Sequence, residues 1–127
     1  DAEVNSALFR NARCGDKEAM RLLLETGAKV DMNMTDERGS TLLIIAAIYG
    51  NEEVMRTLLE KGATLDVANN NGNTALMCAA INGNEEVVRM LLEKRAAMDA
   101  AGYYGQTALM LAAGGGSEMT VRMLLKA

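Results

Sequence analysis

The chain has 127 residues, half of them apolar, with 3% aromatic, no Trp, no Pro and a single Phe. That suits one domain whose core is built from Leu, Ile, Val, Ala and Met, small side chains that let thin helices lie close together, so an all-α fold is expected. A formal charge of −4 with no gathered basic face, the absence of His and the lack of any apolar run near ~20 residues argue against nucleic-acid binding, His-based catalysis or metal ligation, and a membrane helix.

In chain order, the sequence opens Asp1-Ala2-Glu3, with no initiator Met and no signal peptide, and is expected to be a processed or trimmed piece of something longer. A first, worn copy of a repeat carries Ser6, Leu8, Gly15, Leu23-Leu24, Gly27-Ala28 and Asp31. The second carries Gly39, Thr41, Leu43, Ala46-Ala47, Gly50, Arg56, Leu58-Leu59, Gly62-Ala63 and Asp66. From there the spacing is 33 residues: Gly39, Gly72 and Gly105; Thr41, Thr74 and Thr107; Gly50, Gly83 and Gly116; Arg56, Arg89 and Arg122. Gly15 to Gly50 is 35 residues, so two extra residues fall between Asp31 and Gly39, around Met32-Asn33-Met34-Thr35.

Each copy reads as helix, turn, helix, loop. Thr41, Thr74 and Thr107 suit the N-cap, where a hydroxyl accepts an orphan helical N–H. The short first helix is expected to end at Gly50, Gly83 or Gly116, where glycine tolerates a left-handed backbone. The second helix is expected to begin near Glu52, Glu85 or Glu118, where a carboxylate opposes the positive end of the helix dipole. Val54, Met55, Leu58 and Leu59 form one apolar stripe on it, and Gly27 and Gly62 end it. Arg95 stands at the same position in the third copy, so it is expected to take a strained left-handed backbone. Polar hairpins such as Asp66–Gly72 join the copies.

These residues resemble the ankyrin repeat, D-x-x-G-x-T-P-L-H-x-A-A-x-x-G-x-x-E-x-V-x-x-L-L-x-x-G-A-x-x-N, over essentially the whole chain. The departures are specific. Leu42, Ala75 and Ala108 take the Pro site, Ile44, Met77 and Met110 the His site, and Asp31, Asp66 and Asp99 the final Asn site. The hydrogen bonds that the family's His supplies are therefore absent. The resemblance implies an all-α solenoid of four stacked helix-turn-helix repeats joined by hairpin loops, with repeats at about 1–34, 35–68, 69–101 and 102–127. Terminal repeats of a solenoid need a polar outer side. Arg10 and Asn11, in place of Ile45 and Ala46, are expected to cap the N-terminal end. The last copy keeps Leu111, Val121, Met123, Leu124 and Leu125 and reads as truncated, frayed or covered by another chain.

The resemblance also implies a protein-binding module that grips its partner through the hairpin tips and the exposed side of the first helices. By register those positions are Arg13 and Cys14; Glu37, Arg38, Ser40, Ile48 and Tyr49; Asn70, Asn71, Asn73, Ile81 and Asn82; and Tyr103, Tyr104, Gln106, Gly114 and Gly115. All three tyrosines fall there, either as contacts for a partner or as fillers between hairpins. The alternative is a structural spacer within a larger protein. No enzymatic activity, cofactor or metal is expected, and no nucleic acid or membrane partner. A monomer is expected, with the uncapped C-terminal repeat as the surface for any association. Gly114-Gly115-Gly116, lacking a following Lys-Ser/Thr, reads as a loose interhelical turn rather than a phosphate loop. Met77, Met90, Met110 and Met123 read as core fillers. Cys14 and Cys78, two copies apart, are expected to remain unpaired, Cys14 more exposed and Cys78 buried, which fits a reducing compartment.

Overall fold

Two helices recur along the chain in the computed structural model, which describes residues 2–25 and 31–127. They are α1 (Ala2–Cys14) and α2 (Lys17–Glu25), α3 (Leu42–Tyr49) and α4 (Glu52–Glu60), α5 (Ala75–Asn82) and α6 (Glu85–Glu93), and α7 (Ala108–Gly115) and α8 (Glu118–Lys126). No strand occurs among the described residues. The odd-numbered helices pack in one row, the even-numbered in a second, and each pair packs on the next.

Local sequence sets the helix limits. Thr41, Thr74 and Thr107 accept from the N–H of Ile44, Met77 and Met110, and the second helices start at Glu52, Glu85 and Glu118 behind the caps Asn51, Asn84 and Ser117. Gly50 and Gly83 close α3 and α5 in left-handed conformations, with φ of 65° and 67°. Gly116 departs from expectation, with φ −90° and ψ −172°. It is glycine for another reason: an added Cβ would stand 2.4 Å from the Ala80 carbonyl oxygen of α5. Gly114 and Gly115 belong to the last turn of α7 rather than to a loose turn. Ser6, the counterpart of Thr41, lies within α1, which starts at Ala2. The two extra residues form a turn at Met32-Asn33, held by the Asn33 N–H on the Asp31 carboxylate at 2.9 Å and the Met34 N–H on the Asp31 carbonyl at 3.0 Å. The helix end expected at Gly27 lies outside the described residues.

First and second helices solve different packing problems. All of Leu42–Ala47 in α3 and Ala75–Ala80 in α5 are buried, because each helix lies between two neighbours and its own partner. The second helices are amphipathic: Val54, Met55, Leu58 and Leu59 face inward while Glu52, Glu53, Arg56 and Glu60 face water. At the family's His site Ile44 and Met77 are buried apolar fillers. Hydrogen bonds tie each pair to the next, Ser117 Oγ donating to the Glu85 carboxylate at 3.5 Å between the last two. Asn51 donates to the Gly15 carbonyl at 3.0 Å, Asn82 to the Ile48 carbonyl at 2.8 Å, and the Ala97 N–H to the Asp66 carboxylate at 2.8 Å. Cys14 is exposed and Cys78 buried, and neither is bonded to the other. Burial pushes the Cys78 thiol up to about 11, since a thiolate there would lose its hydration.

Two expectations about the ends need correction. Asn11 does not point outward as a cap; it is buried and donates to the Asp16 carbonyl at 3.3 Å, leaving Arg10 as the exposed polar residue. Met110 is not core: it is 58% exposed, where Met77, on the α5 helix that α7 packs against, is 1% exposed. Met77 and Met90 are buried as expected, and Met123 packs half-buried against the core.

Arg95 is the only non-glycine residue with positive φ among the described residues, at 65°, beside 82° at Gly62. The flanking backbone bonds are the same at both sites, Arg95 N–H to Leu92 and Ala96 N–H to Leu91, as Gly62 to Leu59 and Ala63 to Leu58. Repeat geometry thus imposes on Arg95 a backbone that costs an L-residue ~1–2 kcal/mol. Arg95→Gly is expected to stabilise by about 1 kcal/mol after the added freedom of the unfolded chain, raising Tm by about 4 °C in a thermal melt. An unchanged or lower Tm would mean that the arginine side chain compensates the strain.

Candidate partner-binding face

The hairpin tips share one backbone. In the first, the Asp36 N–H bonds the Ser40 carbonyl and the Gly39 N–H the Asp36 carbonyl; in the second, Asn69 pairs with Asn73 and Gly72; in the third, Gly102 pairs with Gln106 and Gly105. At the first two tips a side chain braces the turn. Asp36 accepts from the N–H groups of Arg38 and Ser40, both at 2.9 Å, and Asn69 from those of Asn71 and Asn73 at 3.0 and 3.1 Å. Gly102 has no such brace, so the tip that presents Tyr103 and Tyr104 is held by backbone bonds alone.

Adjacent tips are linked. The Asn70 N–H donates to the Arg38 carbonyl at 2.9 Å, and its side-chain amide to the Glu37 carbonyl at 3.4 Å. A Cβ on Gly39 would come within 2.3 Å of Asn70 Oδ1, so this approach requires glycine there. Tyr103 lies against the second tip, its Cδ1 3.0 Å from where a Cβ on Gly72 would be. It is thus part filler between hairpins, yet 72% exposed, while Tyr104 is 91% exposed.

The structure places most of the expected face at the surface. Arg13, Cys14, Glu37, Arg38, Ile48, Tyr49, Asn70, Asn71, Ile81, Asn82, Tyr103, Tyr104, Gln106, Gly114 and Gly115 are exposed, and Asn73 is half-buried. Ser40 is a correction: it is 2% exposed, drawn in beside Thr41, and serves the turn through its N–H. Arg13, Glu37, Arg38, Ser40, Ile48 and Tyr49 come together around one hollow of about 190 Å³, with Asp36 and Ile45. A second hollow of about 310 Å³ shares Arg13, Asp36, Glu37 and Ile45 and adds Phe9 and Arg10. Asp36, Phe9 and Arg10 were missed as contacts; their signal was the step of register from Glu37 and Arg13. None of the ion pairs among the described residues uses Arg10, Arg13 or Arg38. Tyr103 and Tyr104 stand on the third tip, outside these hollows.

Among the described residues no group of three or more His, Cys, Asp or Glu could hold a metal ion, and no helix is long and apolar enough to cross a membrane. Stacked helix pairs with one row of short helices and projecting tips define a helical repeat solenoid. A family model described as ankyrin repeats (3 copies) matches residues 1–69 and 65–127, and the chain belongs to the ankyrin-repeat family. Ankyrin repeats are in general protein–protein interaction modules and are generally not enzymes. No curated protein matches the chain.

Gly102→Asn places at the third tip the residue that braces the second. The space is close, with the new Cβ 3.2 Å from the Gly72 carbonyl oxygen, but the backbone bonds of the two turns match. The substitution is expected to stabilise by about 1 kcal/mol through the side-chain bonds and the stiffer unfolded chain. Tm and amide exchange at Tyr104 and Gln106 measure it; faster exchange there would show that the approach to Gly72 admits only glycine.

Proposed function

We propose that this chain, as one domain of four repeats, binds another protein through its hairpin tips and the exposed side of its first helices. The observation that supports this reading is the sorting of large exposed apolar side chains. Apart from Leu22, Leu109, Met110, Met119 and Leu125 in the first and last helix pairs, the large exposed apolar side chains among the described residues, Ile48, Tyr49, Ile81, Tyr103 and Tyr104, all lie on the tips and first helices. The opposite face, made by the second helices, shows water Glu52, Glu53, Arg56 and Glu60, then Glu85, Arg89 and Glu93. A spacer needs no aromatic cluster on one side. Tyrosine offers a large, stiff, amphipathic contact at small entropic cost. The hollow beside Tyr49 and the one that shares Arg13 with it add guanidinium groups able to meet acidic side chains at the rim of a partner. In this reading the role of the domain is binding rather than catalysis, as is general for ankyrin repeats.

Affinity capture with the intact chain, compared with a Tyr49/Tyr103/Tyr104 triple alanine variant, identifies the partner. Once it is identified, Tyr104→Ala is expected to weaken binding at least tenfold, about 1.4 kcal/mol. Glu60→Lys on α4 is expected to change it less than twofold. Loss of binding with Glu60→Lys and not with the tyrosine variants would place the partner on the second helices and overturn the reading.

A further inference from the structure

Charge on the face of tips and first helices is confined to one part of it. The second tip, residues 69–73, the third, residues 102–106, and the helices α3, α5 and α7 carry no charged residue. The charge lies on α1 and the first tip, where Arg10, Arg13 and Arg38 stand with Asp36 and Glu37 around the two adjoining hollows. Glu3 lines the groove between α1 and α2 and neither hollow.

The local sequence gives these guanidinium groups no carboxylate. On the second helices Arg21, Arg89 and Arg122 each meet a glutamate three or four residues earlier. At those spacings Arg10 has Ser6, Ala7, Arg13 and Cys14, and Arg13 has Phe9, Arg10, Asp16 and Lys17. Asp16 lies past the end of α1 and accepts from the Ala19 N–H of α2 at 2.8 Å. Arg10 and Arg13 thus form a like-charge pair three residues apart, which costs a helix stability rather than adding to it. Asp36 is engaged in its own turn, its Oδ1 accepting from the N–H groups of Arg38 and Ser40, both at 2.9 Å. Three guanidinium groups therefore share one carboxylate that the turn does not use, that of Glu37, in a chain whose formal charge is −4.

Resting on the binding role argued above, we propose that the partner presents a segment of two unlike parts. A group of two or more carboxylate side chains sits at the first tip against Arg13 and Arg38, and uncharged side chains lie across the second and third tips. Arginine takes a carboxylate by two parallel N–H bonds, which fixes its place as well as its charge. Across the rest of the face no cation offsets the dehydration of a carboxylate, so an acidic side chain there is disfavoured. Charge thus sets the direction in which the segment lies, and the tyrosine tip reads its uncharged end.

A displayed library of random ~12-residue peptides, long enough to reach from the first tip to the third, probes the intact chain directly. Enriched peptides are expected to group their Asp and Glu toward one end. The strongest of them, synthesised, is expected to bind an Arg13→Gln/Arg38→Gln variant at least tenfold more weakly. Arg56→Gln, on α4 and likewise outside the ion pairs, is expected to change binding less than twofold. Circular dichroism checks that each variant stays folded. Raising NaCl from about 50 to about 500 mM tests the unaltered chain, whose binding is expected to weaken about fivefold. A benzophenone side chain beside the acidic group is expected to cross-link to residues 36–49, and one at the other end of the peptide to residues 103–106. Enrichment of peptides without grouped carboxylates, no enrichment, cross-links in the reverse order, or binding indifferent to Arg13 and Arg38 overturns the proposal. If binding of that last kind is lost with Tyr104→Ala, the tip face itself stands; if it is lost only with Glu60→Lys, both readings fall.

Discussion

A pair of eight- or nine-residue helices cannot bury its own apolar surface, and everything else in this protein follows from that. Helices so short are marginal in isolation. α3 has six consecutive buried residues, Leu42–Ala47, so apolar surface faces its own partner and both neighbouring pairs at once. Only stacking satisfies all of these directions. The cost of close approach falls on side-chain size, which is why Ala46-Ala47 and Ala79-Ala80 line the row of first helices and why its aromatic residues, Phe9 and Tyr49, are half-buried and exposed rather than fully buried in it. Packing density rather than side-chain bulk supplies the burial.

Because cohesion runs along the stack, the tips are released from it. The same turn backbone carries Glu37-Arg38, Asn70-Asn71 and Tyr103-Tyr104. Its stability rests on Asp36 or Asn69 at the base and on a glycine with positive φ, Gly39, Gly72 or Gly105, at its fourth position. Residues at the centre of the tip are therefore free to differ. Not all of that freedom is spent on a partner: Asn70 and Asn82 tie neighbouring pairs together, and Tyr103 leans on Gly72. Tyr49 and Tyr104 are the contacts that the stack itself uses least.

What was legible in the sequence follows the range of the interaction. The helix starts at Glu52, Glu85 and Glu118, the threonine caps and the positive φ of Arg95 are set within five residues and repeat at fixed spacing. Burial is not local. Met110 matches Met77 in register, yet it is exposed where Met77 is buried under α7. Ser40 reads as a tip residue but is drawn under Thr41, and Asn11 reads as an outward cap but finds an acceptor in Asp16. Gly116 occupies the place of two left-handed glycines and yet is required by the nearness of Ala80, a contact with the preceding pair that spacing alone does not reveal. Register brought out Arg13, Glu37, Arg38, Ile48 and Tyr49 as surface positions, but their convergence around one hollow depends on how α1 and α3 lie side by side.

The substitutions at the family's His site bind these threads together. A polar residue there tolerates water on one side, so a repeat that carries it can stand at an end. Ile44 and Met77 replace hydrogen bonding with complete burial, which stabilises only where a following pair covers the site. Continued into the last pair as Met110, the same choice leaves an apolar side chain in water beside Leu109 and Leu125. The gain from an apolar residue at this site therefore depends on the next helix pair, which covers Ile44 and Met77 here and sets the limit on what one repeat can stabilise by itself.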